Sequence, residues 1–213
     1  MILTVDIGNT HIGMALFEGD EIREHWTIAT VLQRTADEYL IIFDGLLALK
    51  SIDGNRIDGA VIASVVPPLT GTWRDLAERF AGPESVLLVD ADTSTGVENR
   101  YQSPRDVGPD RLANAVAACA ECGTPVIVVD FGTAVTLDVV SSDGAYLGGA
   151  ILAGPEMAAE GLYRKTARLP SVSIDDPGQA IGNSTDRSIQ SGIFYGMVGA
   201  IDSLIDRIQG ELG

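Results

Sequence analysis

Basic residues are scarce in this chain of 213 residues: 14 Lys and Arg stand against 30 Asp and Glu, a formal net charge of −16. Nucleic acids and anionic membrane surfaces select basic patches, so neither is an expected partner. Long apolar runs are also missing. A bilayer-spanning helix needs about 20 apolar residues, whereas the longest candidate, Ser191 to Ile201, is short and contains Gly192, Gly196 and Gly199. Asp6 interrupts the N-terminal apolar run, so no secretory leader is expected and a cytoplasmic location is. Cysteine is confined to Cys119 and Cys122, and histidine to His11 and His25. One C-x-x-C supplies only half of a structural zinc site, and both histidines are distant in sequence, which argues against zinc. The pair falls in a helix-forming stretch of small residues and reads as core or interface packing, with a redox role as the alternative.

What is present is a repeated phrase. Asp6-Ile7-Gly8-Asn9-Thr10 follows the apolar run Ile2 to Val5, and Asp130-Phe131-Gly132-Thr133-Ala134 follows Val126 to Val129. Each leads into a second run, His11 to Phe17 and Val135 to Val140, that reads as a returning strand. A glycine at such a hairpin lets the backbone approach an anion and aim N–H groups at it. The neighbouring Asn or Thr adds side-chain donors. The carboxylate cannot bind phosphate directly, but it can hold a cation that does. Two such hairpins suit a nucleotide polyphosphate; ordinary hairpin turns are the plainer alternative.

With 46% apolar residues the chain can build a core, as one large domain or two small ones. The first half reads as a meander of strands near 2–6, 11–17 and 22–29. A capping box at Thr35 to Glu38 then opens a helix with Tyr39, Ile42, Phe43, Leu46 and Leu47 at helical spacing. A buried strand, Ala60 to Val65, is stopped by Pro67-Pro68 and followed by a helix with Trp73, Leu76, Ala77 and Phe80 on one face, then a strand from Val86 to Val89. The stretch Asp90 to Pro109 reads as a long irregular loop. A helix from Asp110 to Cys122 precedes the second meander, which ends with a strand over Tyr146 to Leu152. Helices near 155–168 and 186–210 complete the chain, the last with an apolar stripe from Ile189 to Ile208. Its three glycines predict close packing against a subunit partner or the domain's own sheet. Both halves are a meander followed by helices, so an internal duplication with a cleft between the halves is expected.

This pattern resembles the acetate and sugar kinase, heat-shock cognate and actin superfamily, and its words resemble the type III pantothenate kinase family. The matching phrases are Asp6 to Thr10, Arg34 to Tyr39, Ser64 to Pro68, Gly108-Pro109-Asp110-Arg111 with Asn114, Val129 to Ala134, Gly148 to Ile151, and Ile181-Gly182 through Thr185 to Gly192, in the family's order. The resemblance implies an α/β fold of duplicated ribonuclease H-like (actin-like ATPase) domains, here 1–114 and 115–213, each a mixed sheet with a three-stranded meander plus helices. It implies ATP-dependent phosphorylation of pantothenate to 4′-phosphopantothenate, the first step of coenzyme A biosynthesis. Asp6 would help hold a phosphate-bound Mg²⁺ through water, with Gly8, Asn9 and Thr10 as the first phosphate loop. Asp130 would lie at a monovalent-cation site (K⁺ or NH₄⁺), with Gly132 and Thr133 as the second loop. Asp110 would accept the proton of the attacking hydroxyl. Gly108 and Arg111 would hold pantothenate, Tyr101 would wall its pocket, and Thr185 would reach across a homodimer interface. His11 would be a neighbour of the site.

These residue types suit phosphoryl transfer, which needs positioning and charge neutralisation, a carboxylate to orient the alcohol and a guanidinium fork for a carboxylate substrate. Plainer roles exist for several: Asp110 and Thr185 as helix caps, Asp130 as a turn residue, Arg111 in a surface ion pair and Tyr101 in packing. The chain departs from the family pattern at Ala153, where a proline is usual. Family members also continue past this point with a strand, a Gly-Gly turn and a helix, so the second domain is expected to lack them. That departure leaves a catalytically silent binding relative as the alternative function, and a phosphatase or sugar kinase of the same superfamily as a third.

Overall fold

The computed structural model describes residues 1–213. Nine strands and five helices divide between two compact units. One comprises Met1–Gly96 with Gln102–Val116, the other Val97–Tyr101 with Ala117–Gly213.

In the first unit, β1 (Ile2–Ile7), β2 (His11–Glu18) and β3 (Glu21–Ala29) form an antiparallel meander. β4 (Gly59–Ser64) pairs parallel to β1, and β5 (Val86–Leu88) parallel to β4, giving the order β3-β2-β1-β4-β5. This is the ribonuclease H-like order. Period-two patterning decides which face is covered. Leu3, Val5 and Ile7 of β1 and Ile12, Met14 and Leu16 of β2 are buried on one face. They pack with α1 (Ala36–Leu49) and α2 (Pro67–Ala81), which contribute Tyr39, Phe43, Leu47, Leu69, Trp73 and Leu76. Full burial of each such side chain stabilises by about 1.5–3 kcal/mol. Helix α1 starts where the sequence places it. The Thr35 side chain accepts from the Glu38 N–H, and the Glu38 carboxylate accepts from the Thr35 N–H at 2.8 Å.

The second unit repeats the meander with β7 (Val126–Phe131), β8 (Ala134–Val140) and β9 (Ala145–Ala153). A two-residue strand, β6 (Glu98–Asn99), pairs parallel to β9, so the order is β6-β9-β8-β7. The duplication extends to a defect. Register slips at Leu16/Phe17 between β2 and β3, and at Val139/Val140 between β8 and β9. Counted from the residue facing each loop aspartate, these are the same two positions. Helices α4 (Pro155–Lys165) and α5 (Thr185–Leu212) pack together through Ala159, Ile189 and Ile193. No helix is long and apolar enough to cross a membrane.

Three expectations need revision. The stretch from Asp90 to Pro109 is not uniformly irregular, because it contains β6 and a short 3₁₀ turn, Pro104–Asp106. A two-residue strand carries too little periodicity to be read from sequence. Cys119 is only half-buried and Cys122 is exposed, both as free thiols, so neither serves as core packing. A Cβ added at Gly192, Gly196 or Gly199 would meet nothing within 4 Å, so the unit's own sheet does not press on these glycines.

Candidate functional site

In the first unit the site begins where β1 runs out. Asp6 is the last residue but one of that strand; it is exposed and registered against Gly13 on β2 and Ala63 on β4. These small neighbours leave a cavity of about 380 Å³ beside the Asp6 carboxyl, lined also by Thr4, Ala15, His25 and Ala113. The loop Gly8-Asn9-Thr10 then turns into β2. The Gly8 N–H donates to the His11 carbonyl at 3.0 Å, and a Cβ at Gly8 would lie only 3.0 Å from that oxygen. Thr30, just past β3, ties the loop down from outside: its hydroxyl donates to the Gly8 carbonyl at 2.7 Å and its N–H to the Thr10 carbonyl at 2.9 Å. Thr30 is itself fixed through Val31, whose carbonyl and N–H both bond the buried Tyr39 hydroxyl, at 2.9 and 3.1 Å. Asn9 and Thr10 are left exposed on an anchored turn.

Helix α3 (Pro109–Cys122) brings the second group of residues to this unit. Asp110 lies inside the first turn; its Oδ1 accepts the Arg111 N–H at 2.8 Å. A Cβ built on Gly108 would collide with that same Oδ1, so glycine is what leaves the carboxyl its place. Ala113, one turn along from Asp110, lines the cavity beside Asp6. The α3 face that carries Asp110 is thus turned toward the end of β1. Arg111 is 9% exposed, which excludes a surface ion pair.

The second unit carries the other expected residues. Asp130 is exposed near the end of β7, in register with Thr136. The loop Gly132-Thr133 is one residue shorter than its counterpart, closed by the Gly132 N–H on the Ala134 carbonyl at 3.0 Å. Gly154, just past β9, does what Thr30 does in the first unit: its N–H donates to the Thr133 carbonyl at 2.9 Å. It lies so close to the Gly132 and Thr133 carbonyls that no Cβ fits. Tyr101 is half-buried, its ring laid over Gly148, where a Cβ would come within 2.8 Å of it, and 6.4 Å from the Tyr146 ring. Arg100 locks this segment to the sheet through Glu98 at 2.6 Å and Asp143 at 2.8 Å. Arg100 holds the Glu98 carboxyl below the usual range. The Ser141 hydroxyl, followed by Arg100, does the same for Asp143. Thr185 is the exposed first residue of α5 and does not cap it; Ser184 does, accepting the Arg187 N–H at 3.2 Å.

Sequence reading passed over Asp138. It is fully buried on β8 and accepts the hydroxyls of Tyr146 at 2.7 Å and Thr136 at 2.9 Å. The available signal was a charged residue inside the apolar run Ala134 to Val140.

No group of three or more His, Cys, Asp or Glu side chains is placed to hold a metal ion. The exposed Asp6 beside an anchored loop fits an ion bound chiefly by water and phosphate oxygens, the habit of Mg²⁺.

A sequence model of the type III pantothenate kinase family matches residues 2–207. The type III pantothenate kinase of Roseiflexus sp. (strain RS-1) is 43% identical over 213 residues, spanning 100% of this chain and 83% of that protein. That of Finegoldia magna is 42% identical over 211 residues, spanning 99% of this chain and 80% of its own length. Among solved structures, a Campylobacter jejuni protein described as a Baf family transcriptional activator superposes with a TM-score of 0.54 at 20% identity. The match covers 95% of this chain and 78% of that one, a likeness of fold.

Proposed function

Since the chain belongs to the type III pantothenate kinase family, we propose that its two glycine hairpins hold the ATP phosphates while Asp110 acts on the hydroxyl of pantothenate. The chain is an ATP-dependent kinase that converts pantothenate to 4′-phosphopantothenate in coenzyme A synthesis, using ATP with a divalent metal. The observation that carries the residue roles is the juxtaposition in one unit of the anchored Gly8–Thr10 loop and the α3 face bearing Asp110.

The pantothenate hydroxyl oxygen attacks the γ-phosphorus, a new O–P bond forms, and the bond to the β,γ-bridging oxygen breaks to release ADP. Asp110 takes the hydroxyl proton. Gly8 and Gly132 close the two phosphate loops and let the phosphate chain approach, and Asn9, Thr10 and Thr133 orient it with backbone and side-chain donors. Asp6 would hold Mg²⁺, and Asp130 a monovalent cation, K⁺ or NH₄⁺. These ions would neutralise phosphate charge when bound. Arg111 takes the pantothenate carboxylate; its largely buried position favours a fixed fork over a mobile surface charge. Gly108 holds pantothenate with Arg111, and Tyr101 walls the pantothenate pocket. Thr185 serves a homodimer, whose surface is the exposed Gly192, Tyr195, Gly196, Val198 and Gly199 face of α5. The enzyme works in the cytoplasm, where ATP is drawn.

The test is a coupled ADP-release assay with ATP, Mg²⁺, pantothenate and either K⁺ or Na⁺. Asp110→Asn should lower pantothenate-dependent turnover by at least about 100-fold while thermal unfolding stays near the parent's. Unchanged turnover in that variant removes Asp110 from the mechanism, and equal rates in Na⁺ and K⁺ remove the monovalent site.

A further inference from the structure

The fold does not require a carboxyl group at position 138. Gly13 faces Asp6, as Thr136 faces Asp130, and two residues further along each strand stand Ala15 and Asp138. In the first unit that place is filled by a methyl group. In the second it holds a fully buried carboxyl group. Burying a polar group is costly unless hydrogen bonds compensate. Asp138 has such bonds, because Oδ1 accepts the Tyr146 hydroxyl at 2.7 Å and Oδ2 the Thr136 hydroxyl at 2.9 Å.

Those bonds lead from one expected part of the site to another. Thr136 is the cross-strand partner of Asp130 and shares its sheet face. Tyr146 is fully buried, and its ring faces Tyr101 at 6.4 Å and 51°. On its other side Tyr101 rests on Gly148, which has a φ of +114° and no room for a Cβ under the ring. The backbone adds to this: the Arg100 N–H bonds the Tyr146 carbonyl at 2.9 Å, and the Tyr101 N–H bonds the Asn99 Oδ1 at 3.1 Å. The bond to the Asp138 carboxyl anchors the far tip of the Tyr146 side chain, and so fixes where the buried ring lies beside Tyr101.

We infer that Asp138 is a positioning residue for the pantothenate pocket. By holding the Tyr146 hydroxyl it sets the ring against which Tyr101 leans, and so sets the pocket wall. This rests on the reading of Tyr101 as that wall.

The experiment compares Tyr101→Ala, Tyr146→Phe, Asp138→Asn and the double variant Tyr101→Ala/Tyr146→Phe in the complete chain, measuring KM for pantothenate, KM for ATP, kcat and thermal unfolding. Tyr146→Phe removes one oxygen and keeps the ring, so it tests the idea even where Asp138 variants fold poorly. It should raise the pantothenate KM about five- to tenfold, as expected for a lost buried hydrogen bond, with the ATP KM unmoved. Asp138→Asn keeps an acceptor for Tyr146 and should restore most of the parental value. In the Tyr101→Ala background, Tyr146→Phe should add almost nothing, because the ring it positions is gone. A raised KM in Tyr101→Ala with no change in Tyr146→Phe overturns the role of Asp138 alone. An unmoved KM in Tyr101→Ala overturns the pocket-wall reading, and this inference with it. Equal rises in both KM values would make Asp138 a stability residue and also overturn it.

Discussion

At the scale of single residues, the site depends on places where a side chain is absent. Gly108 is the sharpest case, because a Cβ there would occupy the position of the Asp110 Oδ1. The carboxyl is short and bonded to the Arg111 N–H at 2.8 Å, so it can yield only by rotating out of that arrangement. Gly108→Ala should therefore lower kcat by about ten- to 100-fold, since small misplacements of a reacting group cost that much. Helix α3 should remain folded, and the ATP KM should change little. Steady-state kinetics beside far-UV circular dichroism checks this, and a parental kcat would show that Asp110 tolerates the shift. The glycine was legible in sequence as part of Gly108-Pro109-Asp110-Arg111, but its reason was not. Only the fold shows which atom it avoids. The same holds for Gly154, whose role is to bring a backbone N–H onto the Thr133 carbonyl. Asp138 was missed because strand patterning treats any charge in an apolar run as an outward residue, whereas two hydroxyl partners make it an inward one.

At the scale of elements, periodicity was a sound guide wherever an element buries a wide face. Helix α1 buries Tyr39, Phe43 and Leu47 at steps of four, and its capping box fixes its start. The limit of that guide shows on the same helix, where Ile41 and Leu49 are 72% and 81% exposed. Apolar character alone does not say which side is covered. Strand β6 was illegible because two residues have no period; its backbone pairing with β9 holds it, and an exposed charge clamp is added to that. Arg100 joins Glu98 to Asp143 across the sheet, and both carboxyls are held below their usual range. Such groups stabilise the fold above their unfolded pKa values. They lose that contribution as pH falls through the depressed folded values. Parental stability should thus fall from about pH 5 toward pH 3, and Arg100→Gln should flatten that slope by returning both carboxyls toward ordinary values. The groups are fully exposed, so the effect is small, and thermal unfolding across that pH range is the measurement. Identical slopes in both proteins would deny the clamp.

At the scale of the whole molecule, the duplication was the most legible feature, because two copies of one phrase at the ends of two apolar runs survive any error in element boundaries. Its depth was not legible. The matched register slips at Leu16/Phe17 and Val139/Val140, and the matched ties from Thr30 and Gly154 to their loops, involve residues of unlike type in unlike local sequence. Assembly is where sequence left two answers, a partner subunit or the chain's own sheet against the glycines of α5. Within this chain a Cβ at Gly192, Gly196 or Gly199 would meet nothing. Those positions therefore separate the alternatives by sign. On a free helix face, Gly196→Ala should raise stability by about 1 kcal/mol through helix propensity alone. On a face closed by a second copy, the added methyl group would hold two backbones apart, and Gly196→Leu would do so more strongly. With the homodimer proposed here, light scattering should give twice the chain mass for the parent and the single-chain mass for Gly196→Leu. Turnover should fall with it, because Thr185 would no longer reach the neighbouring site. A parent that scatters as a single chain, together with a Gly196→Ala variant that only gains stability, would show that α5 faces water and that Thr185 acts, if at all, within its own chain.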